Sequence, residues 1–275
     1  MKNIAFIVNP INGIKTKNKI TKLVRELLNK DLFSPTVVLI EYNGHATQLA
    51  QQFALEGYYA VIAVGGDETV NQVAAGLKNT DTALGIIPNG DDNTLAKHLD
   101  ISTRMNRAIE MLNHSEPISI DYATLNHTPF FATLKLGTYP QPYPDNLSQY
   151  HVEKYHLMGN DTNITTQALA IHINNASPCA DHTYITTKTS VQDGYIDLTI
   201  ITPEPIPSYA QLTPTVFTNA DNTLYINIFK VKQLTILQES TNQTAILDGT
   251  TISTTQELHI DTIDDGLKVL VKKRF

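Results

Sequence analysis

A single cysteine, Cys179, stands in a chain of 275 residues. That excludes a disulfide framework and a thiolate metal cluster, and leaves a buried, inert thiol as the ordinary reading. Basic residues are in short supply: 20 Lys and Arg face 27 Asp and Glu, for a formal net charge of −7. The balance argues against a nucleic-acid binder built on a broad basic face, and against electrostatic docking on anionic membranes, so at most peripheral membrane contact is expected. No apolar run approaches the roughly 20 residues that cross a bilayer. The amino-terminal MKNIAFIVNP is too short for a signal peptide and is broken by Asn9-Pro10. The expectation is a soluble, cytoplasmic protein. None of the nine histidines has HxH or HExxH spacing, which argues against zinc, and no repeat of solenoid length is present. What is there, 41% hydrophobic and 17% charged residues, is globular in character and long enough for two ordinary domains or one large one.

The first 121 residues alternate between two periods. Ile4–Val8 reads as a buried strand ending in the turn Asn9-Pro10-Ile11-Asn12-Gly13, and Ile20, Leu23, Val24, Leu27 and Leu28 recur at helical spacing. Thr36–Tyr42, rich in β-branched residues after Pro35, reads as a second strand. A second helix over Ala46, Leu49, Ala50 and Phe53 stops at Gly57. Tyr59–Val64 is a third strand, followed by a helix with Val70, Val73, Ala74 and Leu77 on one face. Leu84–Ile87 is a fourth, followed by a short helix from Asn93 and another after Ser102 or Thr103. Such alternation implies an α/β domain, a Rossmann-like parallel sheet covered on both faces, over residues 1–121. From Ile118 the texture changes to strand-like runs separated by turns, ISIDYATL, FFATLKL, ALAIHIN, YIDLTII, LYINIFK, LTIL, AILDG, ELHID and LKVLVKK. These predict a carboxyl-terminal antiparallel β-sandwich over residues 122–275, with Leu267–Lys273 packing back near the junction. The Tyr- and Pro-rich stretch between Gly137 and Thr166 reads as a long surface loop. Its Tyr139, Tyr143, Tyr150 and Tyr155 belong either to a half-buried loop or to an aromatic binding surface.

Two strand–turn–helix units organise the first domain. Val61–Val64 runs into Gly65-Gly66-Asp67, and Leu84–Ile87 runs into Pro88-Asn89-Gly90, with Asn93 opening the next helix. Glycine turns in that setting make a crevice lined by backbone N–H groups and helix N-termini, which suits phosphate. Asp67, Glu68, Asp91 and Asp92 cluster in the same two loops. They are either solvated loop carboxylates or oxygen ligands for Mg²⁺ or Ca²⁺. Asp193-Gly194 on residue grounds alone is an ordinary hairpin turn.

Taken together these residues resemble the diacylglycerol kinase catalytic-domain family, the bacterial lipid kinases related to sphingosine kinases and more remotely to NAD kinases. The family's V-N-P-x-x-G appears as Val8-Asn9-Pro10-Ile11-Asn12-Gly13, and its G-G-D-G-T-V-N-E as Gly65-Gly66-Asp67-Glu68-Thr69-Val70-Asn71-Gln72. Its L-G-I-I-P-x-G-T-G-N-D-F-A appears as Leu84 through Ala96. Asp121 matches its I-D, Asp193–Asp197 its D-G-x-x-D, and Leu247-Asp248-Gly249 its L-D-G-E. The resemblance implies that Asn9, Pro10, Gly65, Gly66, Asp67, Glu68, Thr69, Asn71, Gly90 and Asn93 hold the phosphates of ATP, with Mg²⁺ bridging them. It implies that a lipid hydroxyl enters between the domains to meet a general base after L-D-G. It also implies a structural Mg²⁺ site at Asp193, with backbone oxygens near Ser190 and Tyr195. Partners so implied are a nucleotide and a lipid or other small molecule, no nucleic acid, and a homodimer is compatible with them.

The departures fall on the chemistry. Glu68 replaces the fourth residue of GGDGT, bringing a carboxylate where backbone should approach phosphate. A like-charge contact at about 4 Å would cost on the order of 4 kcal/mol at an effective dielectric of 20. Asp91-Asp92 replaces Thr-Gly, Thr94 replaces Asp, Ile40 replaces the adenine-side Thr, and Thr250 replaces the general-base Glu. A hydroxyl does not accept a proton near neutral pH. Helical sequence that the family carries after Phe131–Gly137 is not recognisable. The reading is a kinase fold with an inherited phosphate site and reduced or lost phosphotransfer. The alternative is an active ATP-dependent lipid kinase with a remodelled site, in which Asp67 organises metal and Asp248, or an acid of the 68–92 cluster, stands in as base.

Overall fold

The structure is a computed structural model. It describes residues 1–10, 14–137, 151–159, 163–176, 189–203, 215–218, 225–240 and 243–273. The chain divides into two compact units, Met1–Ile120 with Asp265–Phe275, and Asp121–Asp264.

The first unit runs β1 (Lys2–Val8), α1 (Ile14–Leu27), β2 (Phe33–Leu39), α2 (His45–Leu55), β3 (Ala60–Gly65), α3 (Asp67–Leu77), β4 (Ala83–Pro88), α4 (Thr94–His98) and α5 (Met105–Leu112). Its strands are parallel in the order β2-β1-β3-β4. Strands β3 and β4 are buried along their whole length, as a sheet covered on both faces requires. The helices bury one stripe each: Ala46, Ala50 and Phe53 on α2, Val70, Val73, Ala74 and Leu77 on α3, Ala108, Ile109 and Leu112 on α5. Helix α3 lies close on α2 because Gly76 has no side chain: a Cβ there would sit 2.6 Å from the Thr47 carbonyl oxygen.

The second unit runs β5 (Ser115–Leu125), β6 (Thr128–Phe130), β7 (Thr133–Gly137), β8 (Glu153–Gly159), β9 (Asn163–Ala168), β10 (Ala170–Asn174), β11 (Ile196–Thr202), β12 (Thr215–Thr218), β13 (Tyr225–Val231), β14 (Gln233–Gln238), β15 (Thr244–Leu247), β16 (Thr250–Ser253) and β17 (Glu257–Lys272), where β5 begins and β17 ends in the first unit. An antiparallel sheet is ordered β12-β13-β11-β10-β7-β15-β16. Facing it, β17, β14, β8 and β9 pair antiparallel in turn. Alternate residues of both layers, among them Leu134, Ile171, Ile173, Leu198 and Ile200 against Tyr155, Leu157, Ile164, Leu234 and Ile260, share one core. An α/β unit and a β-sandwich unit are the architecture.

Four details differ from the sequence reading. Strand β2 begins at Phe33, ahead of Pro35, because it is the edge of the sheet and Pro35, opposite Ile4, needs no outward donor. The 137–166 stretch contains β8 and the start of β9. Tyr155 is 1% exposed in the core with its hydroxyl donating to Glu153, so it belongs to no surface loop; Tyr139, Tyr143, Tyr150 and Cys179 lie outside the described residues. The FFATLKL run is broken at Phe131-Ala132. ELHID and LKVLVKK are one strand, and Asp265–Phe275 falls in the first unit, where Val269 pairs parallel with Leu84 and extends the sheet beyond β4.

Candidate functional site

The parallel register brings the carboxyl ends of β1, β3 and β4 side by side, with Val8 beside Val64 and Gly65 beside Pro88. Ligands of open α/β sheets bind at this end. The Asn9 amide donates to the Thr69 hydroxyl at 3.1 Å, and its backbone N–H to the Val64 carbonyl at 3.0 Å. Asn9 and Pro10 are thereby tied to the first loop; Ile11–Gly13 lie outside the described residues. Thr69 is 2% exposed and packs on the backbone of Gly65, where a Cβ would lie 2.4 Å from its Oγ1. Gly66 precedes α3 in extended conformation, so the first N–H groups of that helix are the orphan donors of a helix terminus.

The second loop is pressed against the first. A Cβ on Gly90 would stand 2.6 Å from Gly66 Cα, so backbone meets backbone and no side chain is admitted. Asn89 N–H donates to the Gly65 carbonyl at 2.8 Å. Asn93 adopts φ 50°, a left-handed conformation that Asn tolerates, and folds the loop on itself. Its Oδ1 accepts the Gly90 N–H at 3.1 Å and its Nδ2 donates to the Gly90 carbonyl at 2.5 Å. Pro88, Asn89, Gly90, Asp91, Asn93, Lys97 and Thr103 line an open cavity of about 470 Å³. Lys97 and Thr103 escaped the sequence reading. The signal for Lys97 was its place one helical turn beyond Asn93; Thr103 gave none.

The acids of these loops separate into two kinds. Asp67 clamps the loops together: its carboxylate accepts the Thr94 N–H at 2.8 Å and the Thr94 hydroxyl at 3.2 Å. Burial pushes its carboxyl above the usual range against those hydrogen bonds, with Asp92 adding to the rise and Lys97 opposing it. Glu68, Asp91 and Asp92 are exposed. Glu68 accepts a hydrogen bond from Gln72 one turn along α3 at 3.2 Å, and in solvent its repulsion of a phosphate falls toward the ~1 kcal/mol expected in water. Asn71 stands partly exposed on the same helix. Among the described residues no three His, Cys, Asp or Glu side chains gather as a metal site.

In the second unit the predicted residues serve the fold. Asp248 and Gly249, at φ 46° and 83°, form the two-residue turn between β15 and β16. The Asp248 carboxylate is 4% exposed and accepts three backbone N–H groups, from Phe131 at 2.7 Å, Ala132 at 2.9 Å and Thr133 at 2.6 Å. Those bonds break the FFATLKL run and occupy both oxygens of the Asp248 carboxylate. Thr250 is exposed at the start of β16. The Asp193 carboxylate accepts the Tyr195 N–H at 3.1 Å and is ion-paired with Lys230, while Ser190 Oγ accepts the Gln192 N–H at 3.3 Å. Asp121, buried, accepts the Gly194 N–H at 2.7 Å.

Residues 3–125 match the diacylglycerol kinase catalytic domain. The likeness to that family rests on this stretch of the chain. A protein of Streptococcus pneumoniae serotype 4, named as a lipid kinase, is 31% identical over 147 residues, 51% of this chain and 49% of that one. The Escherichia coli K12 protein named "Probable lipid kinase YegS" is 25% identical over 284 residues, 94% of this chain and 93% of that one. The chain thus spans about half the length of the streptococcal relative and nearly all of the other. A crystal structure assigned to a diacylglycerol kinase of Bacillus anthracis str. Sterne superposes with a TM-score of 0.78, covering 98% of this chain and 97% of that one at 16% identity. At that identity the likeness speaks to the fold. Gly65, Gly66 and Gly90 make close contacts that leave no room for a Cβ at Gly65 or Gly90, and among the described residues no helix is long and apolar enough to cross a membrane.

Proposed function

We infer that this lipid kinase-family protein retains a cradle for the phosphates of ATP and has reduced or lost transfer of phosphate to a lipid hydroxyl. One observation carries the inference: neither the family's base position nor Asp248 offers a free carboxylate, which leaves the exposed acids of the 68–92 cluster as the only stand-ins among those candidates. Asp248 holds three backbone N–H groups, and Thr250 is a hydroxyl. A positioned base contributes typically 10²- to 10⁴-fold, so the loss leaves binding in place and removes most of the rate.

Support for phosphate binding comes from the backbone contact of Gly66 with Gly90, the orphan N–H groups of α3, and the Lys97 ammonium in the cavity beside them. Magnesium is commonly held by one or two carboxylates plus substrate phosphates. The exposed Asp91 and Asp92 fit that role, and the ion, when bound with nucleotide, would neutralise phosphate charge. In this chain Asp67 holds the two loops together, Asn93 fixes the turn, and Lys97 attracts the anion. The lipid acceptor is expected from the family alone.

The alternative, an active kinase with a remodelled site, draws support from Glu68, which points along α3 to Gln72 in solvent. Two assays on one preparation separate the readings: nucleotide binding by calorimetry, and transfer of labelled phosphate from ATP to diacylglycerol in mixed micelles. Binding without transfer is expected. Transfer at ordinary kinase rates would establish the alternative.

A further inference from the structure

The turn at Gln192–Asp197 in the second unit carries its own cation. The family resemblance places a divalent ion at Asp193, and the residues present do not fit one. One Asp193 carboxylate oxygen accepts the Tyr195 N–H, and the other is ion-paired with the Lys230 ammonium. Lys230 reaches a second acid as well, Asp197 Oδ1 at 3.8 Å, whose side chain is 5% exposed. That reach is dictated by the sheet, because Lys230 on β13 sits directly opposite Asp197 on β11. Burial alone would lower the Lys230 pKa, but Asp193 and Asp197 hold it above the usual lysine range. A neighbouring pair repeats the arrangement: Lys232 lies 3.6 Å from Asp264 and 5.0 Å from the centre of the Tyr195 ring. Gly194 is held by protein as well. Gly194 N–H donates to buried Asp121, and a Cβ on Gly194 would lie 3.0 Å from the Asp264 carboxylate. Acids and lysines interleave, so a divalent ion entering beside Asp193 would meet an ammonium already at the same carboxylate, and like charges at that range repel.

We propose that Lys230 is the built-in counter-ion of this turn, and that the second unit takes no divalent cation there. The lysine lies within ion-pair range of two carboxylates, one of them buried, and supplies positive charge to both. The inference is independent of whether the first unit binds ATP or transfers phosphate.

Thermal unfolding of the full chain in EDTA and in excess CaCl₂ or MgCl₂ tests it, using the natural protein, Asp193→Asn, Lys230→Met and the double variant. Any divalent-dependent shift of the natural protein should persist undiminished in Asp193→Asn, because an ion held elsewhere does not need that carboxylate. Lys230→Met should melt several degrees lower in EDTA and gain a divalent-dependent rise that the double variant lacks. A rise in the natural protein that Asp193→Asn abolishes would overturn the proposal, as would a folded Lys230→Met that gains no rise. If Lys230→Met does not fold, the natural protein against Asp193→Asn decides the matter alone.

Discussion

The two units treat their polar groups in opposite ways. Among the described residues, every buried carboxylate lies in the second unit: Asp121, Glu153, Asp197 and Asp248. Among the described residues the first unit buries only Thr69, Thr82 and Asn93 of its polar side chains, and its loop acids Glu68, Asp91 and Asp92 face solvent. A buried carboxylate persists only where backbone donors or a cation satisfy it, and such groups are costly to remove. An exposed loop acid is screened and cheap to change. The contrast teaches where each kind of substitution should register. Changes in the second unit should be read in stability, and changes in the first in ligand binding.

The largest effect that would break this contrast is at Asp248. Replacing it with Ala leaves three buried backbone N–H groups without acceptors, and about 4 kcal/mol of stability should be lost. Urea denaturation measures it; a loss under 1 kcal/mol would mean that the turn is less dependent on its carboxylate than its geometry indicates. Next comes acid sensitivity. Burial, with Lys135 adding to it, pushes the His172 imidazole from 6.5 down to about 4. The folded value is depressed, so its contribution is complete above pH 6.5 and is lost as pH falls through 4. The change approaches about 3 kcal/mol. His172→Gln should flatten the denaturation midpoint across that window, and an unchanged slope would contradict the burial argument.

Smaller effects sharpen the comparison from the first unit. Gly90→Ala drives a methyl into Gly66, and overpacking of this kind costs about 1–3 kcal/mol. Its more telling consequence is loss of nucleotide binding, measured by calorimetry. The smallest is Glu68→Gly, which should raise nucleotide affinity less than tenfold, because the side chain already lies in solvent beside Gln72. A thousandfold gain would instead mean that Glu68 occupies the phosphate position.

Most of the first unit was legible because its signals are local. Apolar runs such as Val61–Val64, helical stripes such as Val70, Val73 and Leu77, and glycine turns each specify an element without knowledge of the rest. Pro35 misled because whether a strand tolerates proline depends on its place in the sheet, which is a tertiary fact. Strand β8 was hidden by its composition: Lys154, His156 and Met158 alternate with an inward face of Glu153, Tyr155 and Leu157, so even the buried side carries a charge. In the candidate site, the glycines and Asn93 were readable from their motifs. The partnership of Asp67 with Thr94 was not, since 27 residues separate them. Nor was the role of Asp248, whose three donors lie over a hundred residues earlier. The substitution at 94 looked like a lost acid, and the structure gives the new hydroxyl a partner.

One measurement decides whether phosphotransfer survives: transfer of labelled phosphate from ATP to diacylglycerol in mixed micelles with Mg²⁺, beside the variant Glu68→Gly, Asp91→Thr, Thr94→Asp, Thr250→Glu. The prediction is nucleotide binding by both proteins, no transfer above background by the natural chain, and transfer by the variant. Robust transfer by the natural chain would contradict the claim that the cradle has outlived its chemistry.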